Sequence, residues 1–231
     1  MLEIVDNDSA SSLPELPKFP FSELPNGIIP VDDWKSTLPE HTILSGISEE
    51  RISRYKHTTN GLSDNHIEIK IPAYTKSLKT NGMRWEVPLK QELSNTCINY
   101  EFKFSENLPF ASKGVLPGLS SKNNSDTTLN WKTNLMWWQD GRLSLEVINH
   151  TGTTRYDIGL NNHEATITPG DWTKINLCYV VGPTDDYVEL KWNDLKAQPI
   201  SRINLAGNIG ERSGPINFAM LNIYFYMYSV R

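Results

Sequence analysis

Apolar and polar residues alternate along most of this chain after its first forty positions. From Cys97 to Phe104 the side chains of Ile98, Tyr100, Phe102 and Phe104 fall on one face and Asn99, Glu101 and Lys103 on the other. That is the period of a half-buried strand. His66 to Ile71 repeats the pattern with Ile67, Ile69 and Ile71 inward. Met83 to Val87 sets Arg84 and Glu86 opposite Met83, Trp85 and Val87. The run from Trp131 to Asn149 reads as two strands joined at Gln139-Asp140-Gly141, where Asp-Gly signals a hairpin turn. Its outward faces carry Lys132, Asn134, Met136 and Trp138 on one strand, and Arg142, Ser144, Glu146 and Ile148 on the next. Thr173 to Val181 and Tyr187 to Trp192 are two further strands around a turn at Gly182-Pro183-Thr184-Asp185-Asp186. Ile216 to Tyr228 reads as one last strand, with Leu221, Ile223, Phe225 and Met227 opposite Asn222, Tyr224, Tyr226 and Tyr228.

Alternation predicts one shared core of Ile98, Tyr100, Phe102, Leu143, Leu145, Val147, Ile223 and Phe225. A one-residue slip in register would exchange the inward and outward lists. Helical signals are few. The stretch from Asp32-Asp33-Trp34 into Leu44 is expected to contain a short helical turn, and Ser48 to Tyr55 is a short-helix candidate capped by Ser48 with Glu49 and Glu50 in its first turn. Between Phe104 and Trp131 the chain is rich in Gly, Ser and Asn, with Gly114, Pro117 and Gly118, and reads as a long specialised loop. Many short strands without a sustained helical period predict an all-β fold, a jelly-roll or concanavalin-like sandwich of two antiparallel sheets.

Residues 1–40 break the pattern. SSLPELPKFPFSELPNGIIP repeats proline too often for a helix or a central strand. The division predicted is a Pro-rich extended arm over 1–40 and one β-domain over 41–231, a length that suits a single core.

Composition narrows the function. The formal net charge of the 231 residues is -5, against the basic footprint of a nucleic-acid binder. No apolar run approaches membrane-spanning length. The start, MLEIVDNDSASS, has neither a basic segment nor an apolar one, so the chain is read as intracellular or as a processed secreted form. Cys97 and Cys178 both fall in predicted strands. Two buried thiols are the expected state, with one disulfide the alternative in an oxidising compartment. The five histidines show no metal-ligand spacing, and no nucleophile elbow or phosphate loop is present, so no metal or cofactor is expected. Glu86, Glu101 and Glu146 could supply a carboxylate pair for glycoside hydrolysis, but their spacing selects none.

The stretch from Tyr100 to Gly141 carries a resemblance. A YEFKF strand, a KGVLPGL loop and an NLMWWQDG strand and turn look like the jelly-roll polysaccharide lyases of the alginate and glucuronan lyase group. The comparable loop of that group reads close to GGKLPGL, before a Ser/Arg-Met-Trp strand and an aspartate-glycine turn. Met83-Arg84-Trp85-Glu86-Val87 is similar to the group's Arg-x-Glu-Val strand, and Pro169-Gly170-Asp171-Trp172 to a later Gly-x-Trp. The match extends over roughly residues 67–228. It departs at three places. Val115 stands where the group has lysine, with Lys113 two residues earlier. Asn134 stands where it has arginine. Leu143-Ser144-Leu145-Glu146 replaces the Tyr-x-Tyr after the turn.

The resemblance implies a jelly roll that binds an acidic polysaccharide, with neither nucleic acid nor membrane as partner. Cleavage of such a polymer by β-elimination needs a group to neutralise the uronate carboxylate, a base at C5 and an acid at the leaving oxygen. The candidates are Arg84 or Asn134 for the carboxylate, Tyr224 or Tyr226 for proton transfer, and Lys113 for the lysine lost at Val115. Glu86, Lys132, Trp138, Arg142, Glu146 and Asn222 are candidates to hold substrate, Trp138 by stacking on a sugar ring. The rival reading is a non-catalytic carbohydrate-binding or structural protein on the same scaffold. A third is an assembly protein whose arm reaches a neighbouring subunit.

Overall fold

The structure is a computed structural model. It describes residues 27–28, 30–36, 40, 42–45, 52–59, 62–69, 82–106, 112–122, 129–138, 140–149, 151–158, 166–182, 186–192, 201–204, 215–220 and 223–227. The strands are β1 (Gly27–Ile28), β2 (Ile43–Ser45), β3 (Ile52–Thr59), β4 (Leu62–Ile69), β5 (Gly82–Leu93), β6 (Asn95–Lys103), β7 (Ser112–Leu116) and β8 (Gly118–Lys122). They continue as β9 (Leu129–Trp137), β10 (Leu143–Asn149), β11 (Gly152–Ile158), β12 (Trp172–Val180), β13 (Tyr187–Trp192), β14 (Ser201–Asn204), β15 (Ile216–Met220) and β16 (Ile223–Met227). Among the described residues one helix, α1 (Val31–Ser36), overlaps the start of the stretch from Asp32 into Leu44 that predicts a short helical turn. For β1 to β4 and β16 the backbone course alone is described.

All pairings are antiparallel. The large sheet runs β11, β10, β9, then a lane shared end to end by β7 and β8, then a lane shared by β16 and β15, then β5, with β2 on its far side. The smaller sheet runs β14, β13, β12, β6, and β1, β3 and β4 form a separate three-stranded sheet.

The core lies between the two larger sheets. Met83, Trp85, Val87, Leu119, Trp131, Leu135, Trp137, Leu143, Leu145 and Val147 come from one side, and Ile98, Tyr100, Ile175, Leu177, Tyr179, Val188 and Leu190 from the other. The predicted core members Ile98, Tyr100, Leu143, Leu145 and Val147 are buried in it, and Phe102 packs at its edge half-buried. The side chains of Ile223 and Phe225 lie outside the described residues. The adjacent tryptophans separate as alternation requires: Trp137 is sealed in the core and Trp138 emerges on the other face.

The hairpin forms at the predicted turn. Gly141 has φ +78°, and a Cβ there would come 2.7 Å from the Ile167 carbonyl oxygen, so the position needs glycine. Asp140 accepts a hydrogen bond from the Arg142 amide at 3.1 Å and from its guanidinium. Slight burial pushes the Asp140 carboxyl up, but the Arg142 amide, side chain and charge together outweigh it and hold it below its usual range.

Three expectations change. Residues 52–55 of the predicted Ser48–Tyr55 helix are strand, because β3 pairs with β4 from Ile52↔Ile69 to Thr59↔Leu62, and tertiary pairing overrides a local capping signal. The loop read between Phe104 and Trp131 contains β7 and β8, which form one lane broken only at Pro117. The predicted Ile216–Tyr228 strand is described as β15 and β16, which keep one register against β5 from Met220↔Glu86 to Ile223↔Met83, with residues 221–222 outside the described residues. Cys97 and Cys178 are joined as a disulfide; they are register partners on β6 and β12, with Cα atoms 4.0 Å apart. β11 and β14 had no counterpart in the sequence reading. β5 runs through Pro88 because its β2 neighbour reaches only Arg84, Trp85 and Glu86, leaving the proline beyond that pairing.

Candidate functional site

The outer face of the large sheet collects the charged and aromatic residues that alternation turns away from the core. Its rows follow from register. Ile148, Lys132, Ser120 and Phe218 are successive partners across β10, β9, β8 and β15. Arg155, Glu146 and Asn134 make the next row across β11, β10 and β9. Ser144, Met136, Val115 and Tyr224 make the third. β5 adds Arg84 and Glu86.

Two ion-paired clusters flank the middle. On the β5 side Glu86, 1% exposed, binds Lys122 through one oxygen and Arg84 through the other, with Arg84 Nε donating at 2.7 Å. Lys122 is itself buried, with its ammonium 4.7 Å from the centre of the Phe218 ring. The Asn217 side chain clamps its backbone, accepting from the Lys122 amide at 2.9 Å and donating to its carbonyl at 2.7 Å. A register irregularity at Ser121/Lys122 and another between Ile216 and Phe218 accompany this clamp, and such bulges re-aim side chains. On the other side Arg155 donates to Glu146 at 3.0 Å, and Asn134 Nδ2 donates to the second Glu146 oxygen at 3.3 Å.

Lys132 stands between the clusters. Among the described residues it has no ion-pair or hydrogen-bond partner. Burial, then the positive charges of Arg84 and Lys122, lower its pKa from the ordinary lysine range, and the attraction of Glu86 and Glu146 only partly offsets them.

At the rim Trp138 donates its indole N–H to Ser144 Oγ at 2.9 Å. Lys113 Nζ lies 5.0 Å and the Arg155 guanidinium carbon 5.6 Å from its ring centre, within cation–π range.

The structure therefore brings Arg84, Glu86, Lys113, Lys132, Asn134, Trp138 and Glu146 onto one face. The backbone of Tyr224 pairs with Val115 and that of Tyr226 with Lys113, while their side chains, and Asn222, lie outside the described residues. Arg142 does not join the cluster. It is exposed at the hairpin turn with its guanidinium on Asp140. Sequence reasoning missed Ser120, Lys122 and Arg155. The first two sit in what read as a loop. Arg155 lies in Gly152–Ile158, where Thr153, Arg155 and Asp157 alternate with Thr154, Tyr156 and Ile158, a signal that could have revealed the strand. Among the described residues no group of His, Cys, Asp and Glu gathers that could hold a metal ion, and no helix is long and apolar enough to cross a membrane.

The tyrosines of the core are not part of this face. Thr133 Oγ1 and Tyr179 Oη are 2.8 Å apart between the sheets, and burial raises the pKa of Tyr179. Tyr100, also raised by burial and by Tyr179, donates to the Pro117 carbonyl at 3.3 Å.

No protein-family model matches the sequence, and no curated protein matches it. Solved structures do match. A doubly substituted variant of alginate lyase Aly36B in complex with alginate tetrasaccharide superposes with TM-score 0.59 at 13% identity, over 90% of this chain and 86% of that one. The structure described as alginate lyase Aly36B superposes with TM-score 0.54 at 12% identity, over 89% and 91%. These likenesses show the fold: the chain is an antiparallel two-sheet β-sandwich of the jelly-roll kind, with the architecture of that alginate lyase.

Proposed function

We propose that the outer face of the large sheet binds a uronate-containing oligosaccharide. The observation that carries this reading is Lys132, an ammonium without an ion-pair partner among the described residues, set between the Arg84–Glu86–Lys122 and Arg155–Glu146 clusters on a chain of net charge -5. A cationic surface on an acidic protein favours an anionic ligand there. Trp138, at the rim of the same face, supplies a flat apolar surface on which a sugar ring can stack. The solved relative of the same fold that holds an alginate tetrasaccharide supports the same ligand class.

Calorimetric titration against alginate and glucuronan oligomers, with a neutral oligosaccharide as control, tests the reading. Heat for the acidic oligomers alone is the expected result. Absence of heat for every acidic oligomer would overturn it. With binding established, Trp138→Ala is expected to weaken it by about 1–3 kcal/mol, on the scale of burying a large side chain.

Cleavage by β-elimination is a second reading, supported by the register of Tyr224 and Tyr226 beside Val115 and Lys113. It requires Arg84 or Asn134 at the carboxylate and Tyr224 or Tyr226 for proton transfer, with Lys113 entering for the lysine that Val115 replaces. Each must come within hydrogen-bond reach of the sugar. Elimination leaves an unsaturated uronate that absorbs in the ultraviolet, so an absorbance assay over a polyuronate panel decides it. Turnover that disappears in Tyr224→Phe or Tyr226→Phe supports the assignment. Binding without absorbance change leaves a carbohydrate-binding protein on a lyase scaffold.

A further inference from the structure

We propose that Asn149 is an N-glycosylation site, modified in the same oxidising compartment in which the Cys97–Cys178 bridge forms. This site is independent of the oligosaccharide-binding reading and lies at the turn between β10 and β11. The acceptor pattern is asparagine, then any residue but proline, then serine or threonine. It occurs at Asn7-Asp8-Ser9, Asn123-Asn124-Ser125 and Asn149-His150-Thr151. The first two lie outside the described residues. The third lies in a turn whose surroundings are described.

Three observations converge on that turn. One is room. Asn149 ends β10 and pairs with Gly152, which opens β11, so residues 150–151 make the turn. Asn149 is half-buried and residues 151–155 are exposed. A Cβ built on Gly152 would meet nothing within 4 Å, so open space surrounds the turn and a bulky, solvated group fits there. Another is the hydrogen bonding of the tripeptide itself. The Thr151 hydroxyl and amide both donate to Asn149 Oδ1, at 2.6 and 2.9 Å, which makes an Asx turn. A backbone N–H can only donate, so the atom it meets is the oxygen of the side-chain amide. Nδ2, the atom that takes the sugar, is therefore the other one, and its modification leaves both hydrogen bonds in place. The last is the disulfide. Cys97 and Cys178 are joined across a separation of 81 residues. Such bridges form and persist in oxidising compartments, and N-linked glycans belong to proteins that pass through them.

The donor would be an oligosaccharide linked to a polyprenyl pyrophosphate. The bond from Nδ2 to the sugar C1 forms as the bond from C1 to the pyrophosphate oxygen breaks. That oxygen leaves with the electron pair, Nδ2 gives up one proton, and neither oxidant nor reductant takes part. Asn149 has the parity of Leu143, Leu145 and Val147, which enter the core, and not that of Ser144, Glu146 and Ile148. The glycan thus leaves from the end of the sandwich rather than across the face that carries Lys132.

The test directs the full chain into the secretory pathway of a eukaryotic host with a cleaved leader, alongside Asn149→Gln, Thr151→Ala and Thr151→Ser. Glycopeptides are mapped by mass spectrometry before and after amidase treatment. Circular dichroism and thiol titration report folding and the bridge. The parent is expected to carry a glycan on the peptide containing residue 149, and the amidase should leave aspartate there. Asn149→Gln and Thr151→Ala should lose that glycan while staying folded, and Thr151→Ser should keep it. A folded, disulfide-bonded parent whose Asn149 is bare would overturn the site. So would a modified parent that misfolds where Asn149→Gln folds, since the turn then has no room for a glycan. Free thiols at Cys97 and Cys178 in a glycosylated parent would overturn the shared compartment.

Discussion

Glu86 holds two cations at once while almost sealed from solvent. A carboxylate so placed is a liability if its partners are disturbed, because breaking a buried pair strands a charge. Glu86→Gln should therefore destabilise the fold by about 3–5 kcal/mol in chemical denaturation, chiefly through Lys122. Adding Lys122→Met to Glu86→Gln should return part of that loss, which a merely additive pair would not do. Lys132 behaves oppositely. Its folded-state pKa lies below the unfolded value, so at neutral pH its charge opposes folding, and stability gains from its deprotonation as pH rises from the lowered pKa to the ordinary lysine value. Lys132→Met is expected to unfold at higher denaturant than the parent at neutral pH, with the difference shrinking in alkali. Trp138 shows where residue-scale reading stops. Its outward direction follows from alternation with Trp137, but the cations on its ring come from β7 and β11, which no local pattern connects.

At the scale of elements, the strands with strict alternation were legible: β6, β9, β10 and the Asp140-Gly141 turn all lie where period-2 patterning puts them. The β7–β8 lane was not, because Leu116-Pro117-Gly118-Leu119 carries loop-forming residues inside a sheet. The structure explains the glycine. A Cβ at Gly118 would stand 2.1 Å from the Thr133 carbonyl oxygen, so β8 approaches β9 closely only without a side chain there. Gly118→Ala should force the two strands apart, costing about 1–3 kcal/mol in thermal or denaturant unfolding and disturbing Ser120 and Lys132 beside it. Of the candidate site, Arg84, Glu86, Lys132, Asn134 and Glu146 were readable as outward residues. Their convergence was not, because it depends on which strands become neighbours.

The whole molecule is built from distant pairings. The Cys97–Cys178 bridge closes a separation of 81 residues across β6 and β12, and a loop of that length implies about 4 kcal/mol of stabilisation through the unfolded chain. Replacing both cysteines by alanine should lower the denaturation midpoint accordingly, while the reduced parent and the alanine variant should behave alike. The Asn217 clamp on Lys122 spans 95 positions, and the lane made by β15 and β16 lies in the middle of the large sheet, between β5 and the β7–β8 lane. During synthesis from the amino terminus, residues 82–158 leave the ribosome well before residues 216–227. Until then β5 on one side and β7–β8 on the other each present an unsatisfied backbone edge, separated by a slot one strand wide. The nascent chain must be kept from filling that slot with the wrong strand, its own or a neighbour's. A chain halted before Ile216 should accordingly remain bound to chaperones or aggregate, and supplying residues 216–227 as a separate peptide should complete the sheet.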